Sequence, residues 1–453
     1  MQPTQTLTAR QAALQSCIKI AQGSYVNLET AYVLNSGQLI PADRGLYTEL
    51  VYGCVKRQVW LDFFLLKWST RPLAQLDLSV LISLRLGLYQ IHFMDRIPAY
   101  ASVDETVELV KQETPYAAGM VNAILHKAAV QTDWTVKSKK GKAGFLSVTY
   151  SHPLWMIQRW LKRFGEQETV ALLEANNQTP NLFARVNTLC SSIDAMQQWF
   201  TANEIEAVFN DAVVQACQIS APISDLMGEI EKGHLVIQDI GAMLITQILA
   251  PQPNDCVLDY CAAPGGKTSH MAALMQNKGE IIACDLYEQR VGLIASTAKR
   301  TGASIVQAKV HDGTKSLARE NYFDKVLVDA PCSGTGVLRR KVDARWTKEY
   351  EQLAALVTLQ RALLRNAYAA LKPGGRLIYS TCSLEQEENE KNIEWFLEQE
   401  PTAELIPFTI SGPKQNYENE GYFTILPHYF DGDGFFLAML TKKSDLASLR
   451  NRE

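Results

Sequence analysis

The sequence predicts a multidomain protein with an all-α amino-terminal domain, a small α+β middle segment and a carboxyl-terminal α/β domain with a mostly parallel sheet. The chain has 453 residues, which is long for a single domain. Apolar residues recur at helical spacing in the first part, whereas strand-like runs alternate with helical stretches in the last part. The change of pattern divides the chain into 1–135, 150–232 and 233–445, with a linker at 136–149.

The composition is that of an ordinary globular protein, with 47% hydrophobic and 20% charged residues. No apolar stretch reaches membrane-spanning length, and residues 1–4 lack the basic and apolar regions of a signal peptide. We therefore expect a cytoplasmic protein without membrane contacts. The nine cysteines are scattered without a Cys-x-x-Cys pair, which argues against a disulfide framework and against a bound metal.

Residues 1–135 are predicted to be helical throughout. Apolar residues at helical spacing run through Ala12, Leu14 and Ile18, and a similar run begins at Leu46. The prolines stand between these runs rather than inside them, as helix breakers do. These prolines are Pro41, Pro72, Pro98 and Pro115.

A basic region follows the helical domain. Residues 134–163 contain seven Lys or Arg and no Asp or Glu, although the net charge of the whole chain is −4. The stretch 136–149 is polar and lacks periodicity, so we expect a linker there. Its lysines can neutralise RNA phosphates, and a linker that is merely solvated is the alternative. The candidate phosphate contacts are Lys137, Lys139, Lys140 and Lys142.

The last part of the chain alternates strand-like runs with helical stretches. This alternation is typical of a doubly wound parallel sheet. In such a sheet, ligands bind beyond the carboxyl ends of the strands. The runs that predict strands are 256–259, 280–285, 304–306, 325–329, 376–380 and 435–440.

A glycine-rich loop follows the first of these strands. Small residues and paired glycines allow the backbone to approach a ligand at the start of a helix. A phosphate-binding P-loop would also end in Gly-Lys-Thr, but it requires a glycine where Cys261 stands, so a triphosphate site is excluded. The residues of the loop are Cys261, Ala262, Ala263, Pro264, Gly265, Gly266 and Lys267.

Carboxylates end the strands next to this loop. Asp285 ends the second strand, about 20 residues after the glycines, where nucleotide-binding folds hold ribose hydroxyls. Asp312 follows the third strand and Asp329 ends the fourth. A row of carboxylates suits an adenosine ligand with a cationic centre better than a polyphosphate. We therefore expect S-adenosylmethionine as the cofactor, bound by the loop and by these three aspartates.

Two cysteines follow neighbouring strands of the predicted sheet. Cys332 comes after the strand 325–329, and Cys382 comes after the strand 376–380. Both should therefore lie at the edge where an α/β sheet presents its catalytic residues. Such a pair suggests one thiol that attacks the substrate and a second that helps to release it.

These motifs, in this order, resemble those of the RNA cytosine-C5 methyltransferases, and the amino-terminal domain resembles NusB-like RNA-binding domains. The combination is similar to the bacterial 16S ribosomal RNA cytosine-C5 methyltransferases. The resemblance implies a Rossmann-like class I methyltransferase domain, S-adenosylmethionine as cofactor, 16S ribosomal RNA as partner, and RNA binding by 1–135 and 150–232. The matching stretches are 261–267, 329–334 and 380–383 in the last domain, and 43–53, 104–109 and 121–125 in the first.

The resemblance also implies roles for the two cysteines. In that family the nucleophile is the cysteine after the later strand, here Cys382, and the cysteine of the Pro-Cys dipeptide, here Cys332, assists release. Thiolate addition to carbon 6 of cytosine makes carbon 5 able to attack the methyl group. Asp329 would hydrogen-bond the edge of the base. DNA cytosine methyltransferases use the Pro-Cys cysteine as nucleophile, so Cys332 is the alternative.

Three arginines directly after the Cys332 loop are further candidates for RNA contacts. Arg339, Arg340 and Arg345 could bind phosphates around a cytosine that has left its stack. We expect a monomer. Two other functions fit the sequence: an RNA-binding assembly or antitermination factor with an inactive methyltransferase fold, and a methyltransferase that acts on transfer RNA or DNA.

Overall fold

The structure, a computed structural model, describes residues 6–137, 140–213, 215–348, 350–412 and 415–443. This part of the chain forms two units. The first unit comprises the residues up to Gln178 together with Leu338–Thr347. The second unit comprises Thr179–Val337 and the residues from Lys348 onward. Among the described residues, no helix combines the length and the apolar character that crossing a membrane requires.

The first unit is helical, which confirms the prediction for the amino-terminal domain. The helices are α1 (Ala9–Ala21), α2 (Val26–Asn35), α3 (Arg44–Lys56), α4 (Gln58–Trp68), α5 (Leu78–Phe93), α6 (Ala99–Glu113), α7 (Ala118–Ala129), α8 (Gly141–Tyr150) and α9 (Leu154–Asn177), with short 3-10 turns at Pro41–Asp43, Leu73–Gln75 and Pro115–Ala117. Thr8 begins α1 by accepting a hydrogen bond from Gln11 N at 3.2 Å. Helix α5 is buried along most of its length, and its Arg85 donates two hydrogen bonds of 2.7 Å to Asp62 of α4.

Helix α8 contradicts the predicted linker at 136–149. Leu146 of this helix is 4% exposed. Before the helix, the ring of Trp134 stacks on that of Trp60 with 5.4 Å between centroids. The prediction of a linker is therefore wrong from Gly141 onward. The glycines and lysines of this stretch give it a polar, aperiodic sequence, yet it forms a helix that is stabilised by packing against the rest of the unit rather than by local propensity.

The second unit begins with a small α+β subdomain. Its elements are β1 (Leu182–Val186), α10 (Ile193–Ala202), β2 (Ala207–Phe209), β3 (Ala216–Ile219), α11 (Ile223–Glu231) and β4 (Leu235–Ile237). The strands form an antiparallel sheet of order β2-β3-β1-β4, and Ala184 packs with Phe200 and Leu226 of the two helices. This confirms the predicted α+β middle segment, except that α9, predicted within it, belongs to the first unit.

A larger sheet forms the rest of the second unit. Its strands are β5 (Cys256–Asp259), β6 (Glu280–Asp285), β7 (Val306–Val310), β8 (Phe323–Asp329), β9 (Leu371–Thr381), β10 (Ala403–Leu405), β13 (Tyr422–Ile425) and β14 (Phe435–Lys442). Two further strands, β11 (Phe408–Ser411) and β12 (Asn416–Asn419), form a separate pair. The helices are α12 (Ile240–Leu249), α13 (Gly266–Leu274), α14 (Glu288–Arg300), α15 (Ala344–Thr347), α16 (Leu353–Ala370), α17 (Glu390–Gln399) and α18 (Pro427–Phe430), with a 3-10 turn at Tyr350–Gln352. Of these helices, α15 belongs to the first unit.

The strand order in the larger sheet is β10-β14-β9-β8-β5-β6-β7, with β13 beside β14. The five strands from β9 to β7 are parallel, and β14 runs antiparallel to β9, which confirms the mostly parallel sheet. Strand β6 is buried on both faces, as expected for a parallel sheet that helices cover. Parallel strands end at the same side, here called the carboxyl edge, which brings together Asp259, Asp285, Asp329 and Thr381.

Arg345, which the sequence predicts to contact RNA, is buried inside the first unit. Its Nη1 donates to Ser151 O at 3.2 Å and to Lys56 O at 3.4 Å. Its Nη2 donates to Asn176 O at 2.6 Å. These carbonyls lie at the C-terminal ends of α8, α3 and α9, where helices present unpaired acceptors and negative partial charge. The guanidinium therefore joins three helix ends, and the prediction that it contacts RNA phosphates is wrong.

Candidate active site

The glycine-rich loop runs from the end of β5 to the start of α13. Gly265 has a φ of 99°, a left-handed conformation that side chains disfavour. A Cβ at Gly265 would also lie 3.2 Å from Ile294 Cα in α14. Thr297 Oγ1 of the same helix donates to Pro264 O at 2.8 Å. The loop is therefore packed tightly against α14, and glycine is required at position 265.

The surroundings of the loop fit the expected cofactor. Among the described residues, and apart from its chain neighbours and the nearby backbone of α13, the atom nearest to a Cβ built at Gly266 would be Gln238 Cδ at 4.0 Å, so space is open at the start of α13. The positive end of a helix with accessible backbone suits an anionic group such as the carboxylate of S-adenosylmethionine. Aspartates along the carboxyl edge suit its hydroxyl groups and its sulfonium charge.

Asp285 and Asp312 are held in place at this edge. Asp285 accepts hydrogen bonds from Leu286 N at 2.9 Å and from Ala263 N, in the loop, at 3.3 Å. Asp312 accepts from Thr314 Oγ1 at 2.7 Å, and the hydrogen bonds from Thr314 hold the pKa of Asp312 below its ordinary value. A ligand with ribose hydroxyls would therefore meet acceptors that are already oriented.

Asp259 is a further carboxylate at this edge, and the candidates drawn from the sequence do not include it. It is 1% exposed, and Thr268 Oγ1 donates to its Oδ2 at 2.7 Å. Its Oδ1 has no hydrogen-bond partner among the described residues. Burial, opposed by the bond from Thr268 and reinforced by the charge of Asp329, raises the pKa of Asp259 to about 7. A signal was available in the sequence, since Asp259 ends its strand as Asp285 does.

Cys332 and Cys382 lie next to each other at the carboxyl edge. Their Sγ atoms are 3.2 Å apart, and both residues are partly exposed. The backbone ties their loops together: Gly336 N donates to Cys382 O at 2.9 Å, and Gly434 N donates to Gly336 O at 2.8 Å. A Cβ at Gly336 would lie 2.3 Å from Gly434 O, so a residue other than glycine would separate these loops.

The contact between the two thiols affects their ionisation. The hydrogen bond to Cys382, together with burial, raises the pKa of Cys332 well above its ordinary value. Either sulfur can be the donor of this hydrogen bond. Because the thiolate is the nucleophilic form of cysteine, the contact allows one thiol to attack while the other keeps its proton. The assignment of Cys382 as the nucleophile stays a prediction.

Lys267 and Asp329 form an ion pair beside the cysteines. Lys267 Nζ lies 2.6 Å from Asp329 Oδ2, and Ser380 Oγ donates to Asp329 Oδ1 at 2.8 Å. Burial opposes the charge of Lys267, but Asp329, with smaller contributions from Asp259 and Cys382, raises the pKa of Lys267 above its ordinary value. The lysine that the sequence places in the cofactor loop is therefore a cation close to both Asp329 and the Cys382 sulfur.

The lysines predicted to contact RNA lie in the first unit. Lys137 and Lys140 are exposed. Lys142 is exposed too, but its Nζ lies 2.5 Å from Glu166 Oε2, which offsets its charge. Lys139 lies outside the described residues. Contacts between these lysines and phosphates remain predictions.

The arginines that follow the Cys332 loop do not form an exposed basic patch. Arg339 is 2% exposed, so the prediction that it contacts RNA is wrong for the same reason as at Arg345. Arg340 is partly buried. Charge in the sequence indicated phosphate contacts here, whereas burial places two of the three guanidinium groups out of reach of RNA.

Three family models match successive parts of the chain. The model described as 16S rRNA methyltransferase RsmB/F matches residues 246–441. The NusB family model matches residues 7–130, and the model of an RsmF/B-like methyltransferase ferredoxin-like domain matches residues 152–224. The helical, α+β and α/β parts of the chain therefore each have a counterpart in a known family.

Bacterial relatives match nearly the whole chain. The probable ribosomal RNA small subunit methyltransferase B of Bacillus subtilis is 33% identical over 443 residues, which cover 96% of this chain and 99% of that protein. The ribosomal RNA small subunit methyltransferase B of an Escherichia coli strain is 34% identical over 406 residues, which cover 88% of this chain and 91% of that protein.

Solved structures share this architecture. The crystal structure of PH0851 has a TM-score of 0.79 at 28% identity and covers 97% of this chain and 100% of its own. NSun6 from Pyrococcus horikoshii, solved with SFG, has a TM-score of 0.56 at 23% identity, covers 64% of this chain and 97% of its own, and shows the shared fold. A sequence identity of 33% to the Bacillus subtilis protein over 96% of the chain makes this protein a member of the RsmB-type ribosomal RNA cytosine-C5 methyltransferases, enzymes that use S-adenosylmethionine.

Proposed function

We propose that this enzyme methylates carbon 5 of a specific cytosine in 16S ribosomal RNA through a covalent bond between Cys382 Sγ and carbon 6 of the base. One observation carries the proposal: the two thiols lie 3.2 Å apart at the carboxyl edge, where the Lys267–Asp329 ion pair also lies. The description of the family and the names of the relatives, which refer to 16S and small-subunit ribosomal RNA, support the substrate.

The first step is addition of a thiolate to carbon 6, because carbon 5 of cytosine is a weak nucleophile by itself. The Lys267 cation, which is electrostatically coupled to Cys382, favours the charged form of that thiol. Addition converts the ring into an enamine whose carbon 5 can attack an electrophilic methyl group. S-adenosylmethionine supplies that group when it is bound.

Asp329 and Cys332 act on the base and on its release. Asp329 would accept a hydrogen bond from the edge of the cytosine, since Lys267 and Ser380 fix the orientation of its carboxylate. Water takes the proton from carbon 5, the electrons of that bond restore the double bond between carbons 5 and 6, and the carbon–sulfur bond breaks with its electron pair returning to Cys382. Cys332, whose Sγ lies 3.2 Å from that of Cys382, would donate a hydrogen bond to the departing sulfur.

RNA binding would involve the helical domain 1–135 and the α+β segment 150–232. Exposed Lys137 and Lys140 would neutralise phosphates, so binding should weaken as salt rises. The target base must leave its stack to reach Cys382, which favours an unpaired cytosine. Both cysteines lie in one chain, so a monomer suffices, and a ribosomal RNA substrate would place the enzyme in the cytoplasm.

Trapping of the covalent intermediate tests the mechanism. The Cys332→Ala variant, incubated with S-adenosylmethionine and total bacterial RNA, should accumulate a protein–RNA adduct on a denaturing gel. The adduct forms but is released slowly, because the hydrogen bond to the departing sulfur is missing. The Cys332→Ala/Cys382→Ala double variant is the matched control and should form no adduct.

Two results would count against the proposal. An adduct in Cys382→Ala but not in Cys332→Ala would reverse the roles of the cysteines. Sequencing of the trapped RNA should identify a single cytosine in 16S ribosomal RNA, and recovery of transfer RNA instead would show that the substrate is wrong.

A further inference from the structure

A buried carboxylate, Glu388, lies between the loops that carry the two cysteines. The side chain is 0% exposed and belongs to the segment between β9 and α17. Its Oε1 accepts a hydrogen bond from Ser333 N at 2.8 Å. Its Oε2 accepts from Ser333 Oγ at 2.5 Å and from Ser383 Oγ. One side chain therefore holds both loops, and the mechanism above makes no use of it.

The two serines that Glu388 contacts are each adjacent in sequence to one of the cysteines. Ser333 directly follows Cys332, and Ser383 directly follows Cys382. The two hydroxyls also lie 3.0 Å from each other. Each loop is thus held one residue away from its sulfur, on opposite sides of a single carboxylate.

Glu388 is itself held by neighbouring helices. Gln360 Nε2, in α16, donates to Glu388 Oε1 at 2.9 Å and to Pro331 O at 2.9 Å. Asn392 Nδ2, in α17, donates to Gln360 Oε1 at 2.9 Å. Tyr379 OH donates to the backbone carbonyl of Glu388 at 2.6 Å. The carboxylate therefore has a fixed position with respect to the sheet.

Burial of a carboxylate costs free energy that its hydrogen bonds must offset. A buried acid without hydrogen bonds is strongly destabilising, whereas here each oxygen accepts two. Neutral groups donate all four of these hydrogen bonds. Three of the four come from Ser333 and Ser383, in the two cysteine loops.

We propose that Glu388 is a positioning residue that sets the distance between the sulfurs of Cys332 and Cys382 by holding Ser333 and Ser383. The inference deepens the proposed function and depends on it for its catalytic consequence. The geometric part does not depend on it, since the distance between the thiols is a property of the enzyme without RNA or cofactor.

A change in the distance between the thiols changes the effective concentration of one thiol at the other, which a disulfide equilibrium measures. The full-length enzyme is equilibrated with reduced and oxidised glutathione, so that two thiols and one oxidised glutathione give one protein disulfide and two reduced glutathiones. Peptide mapping then gives the fraction of Cys332–Cys382 disulfide. In Glu388→Ala the effective concentration should fall by about tenfold or more, because the loops move independently.

Glu388→Gln distinguishes positioning from proton transfer. The glutamine oxygen can accept from Ser333 N, and its amide nitrogen can donate to the serine hydroxyls, so the neutral side chain keeps the contacts. We expect an effective concentration close to that of the wild type and recovery of most of the kcat lost in Glu388→Ala, with KM for RNA little changed in either. A glutamine variant as slow as the alanine variant would overturn the positioning role.

Two further variants keep the test independent of misfolding. Ser383→Ala removes the hydroxyl that links the Cys382 loop to Glu388 and should lower the effective concentration by a smaller factor. The matched control is Glu387→Ala, which removes a neighbouring carboxylate that lies 3.4 Å from Lys391 Nζ. Its effective thiol concentration should equal that of the wild type. Unchanged thiol equilibria in both Glu388→Ala and Ser383→Ala would refute the inference, even if the covalent adduct forms as proposed.

Discussion

At the scale of single residues, acidic side chains interact with one another at the carboxyl edge. Asp259 interacts unfavourably with the charges of Asp329 and Asp285, and Lys267 offsets part of this charge through its contact with Asp329. Burial therefore acts together with these neighbours to raise the pKa of Asp259 to about 7. An edge of this kind favours a cationic ligand, as the sulfonium of S-adenosylmethionine is.

The Asp259→Asn variant should show a weaker dependence of stability on pH. The pKa of Asp259 rises from an ordinary 3.8 to about 7 on folding. The folded protein therefore keeps a proton that the unfolded chain has released, and stability falls as the pH rises through this window. Asparagine removes this loss, which is on the order of a few kcal/mol.

Urea unfolding of the ligand-free enzyme at acidic and at mildly alkaline pH measures this effect. We expect the urea midpoint of Asp259→Asn to increase relative to that of the wild type as the pH is raised. If both proteins lose the same stability between the two pH values, Asp259 is ionised in the folded state and the charge balance described above is wrong.

At the scale of elements, the strands of the parallel part of the larger sheet and β14 were predictable, whereas the strands β10 to β13 were not. Strand β6 matches the predicted run 280–285, whereas β7 begins at Val306 rather than at 304. The glycines at 374 and 375 lie inside β9, beside the irregularity in its pairing with β8. The strands β10 to β13 have no counterpart in the prediction. Each is stabilised by a tertiary pairing, with β14 for β10 and β13 and with each other for β11 and β12.

Gly336→Ala should impair catalysis, because the new Cβ would meet the backbone oxygen of Gly434, which cannot move aside without shifting a loop. Displacement of the Cys332 loop relative to the Cys382 loop should lower kcat/KM on the order of 100-fold. The matched control is Gly292→Ala in α14, where no described atom outside the adjacent residues and the backbone of the same helix lies within 4 Å of the new Cβ. The control should retain activity and gain up to about 1 kcal/mol of stability. Wild-type kcat/KM in Gly336→Ala would show that the close approach is dispensable.

At the scale of the whole molecule, charge in the sequence and charge on the surface are different quantities. Arg345 and Arg339 are basic residues near the chemistry in the sequence, yet both are buried in the first unit. Lys137 and Lys140, much earlier in the chain, are exposed. Binding to RNA should therefore depend on the exposed lysines and not on these two arginines.

Arg345→Ala and Lys137→Ala should separate stability from RNA binding. Loss of Arg345 leaves three helix ends without their shared donor and should lower the free energy of unfolding by about 3 kcal/mol. It should leave unchanged the slope of log K for RNA against log salt concentration. Lys137→Ala should keep the stability and reduce that slope by about one. A reduced slope in Arg345→Ala would restore the arginine as a phosphate contact.

The sequence by itself determined the three-part organisation, the alternation of strands and helices up to β9 and the identity of the motif residues at the strand ends. These depend on periodicity and on spacing within single segments, which the linear chain carries. Only the tertiary structure decided that Lys267 contacts Asp329, 62 positions away, that Arg345 joins helix ends up to 289 positions away, and that Glu388 lies between the two cysteine loops. Burial and hydrogen bonding are properties of residues brought together from distant parts of the chain, so no local pattern around Arg345 or Glu388 could distinguish a solvated charge from one that is enclosed and paired.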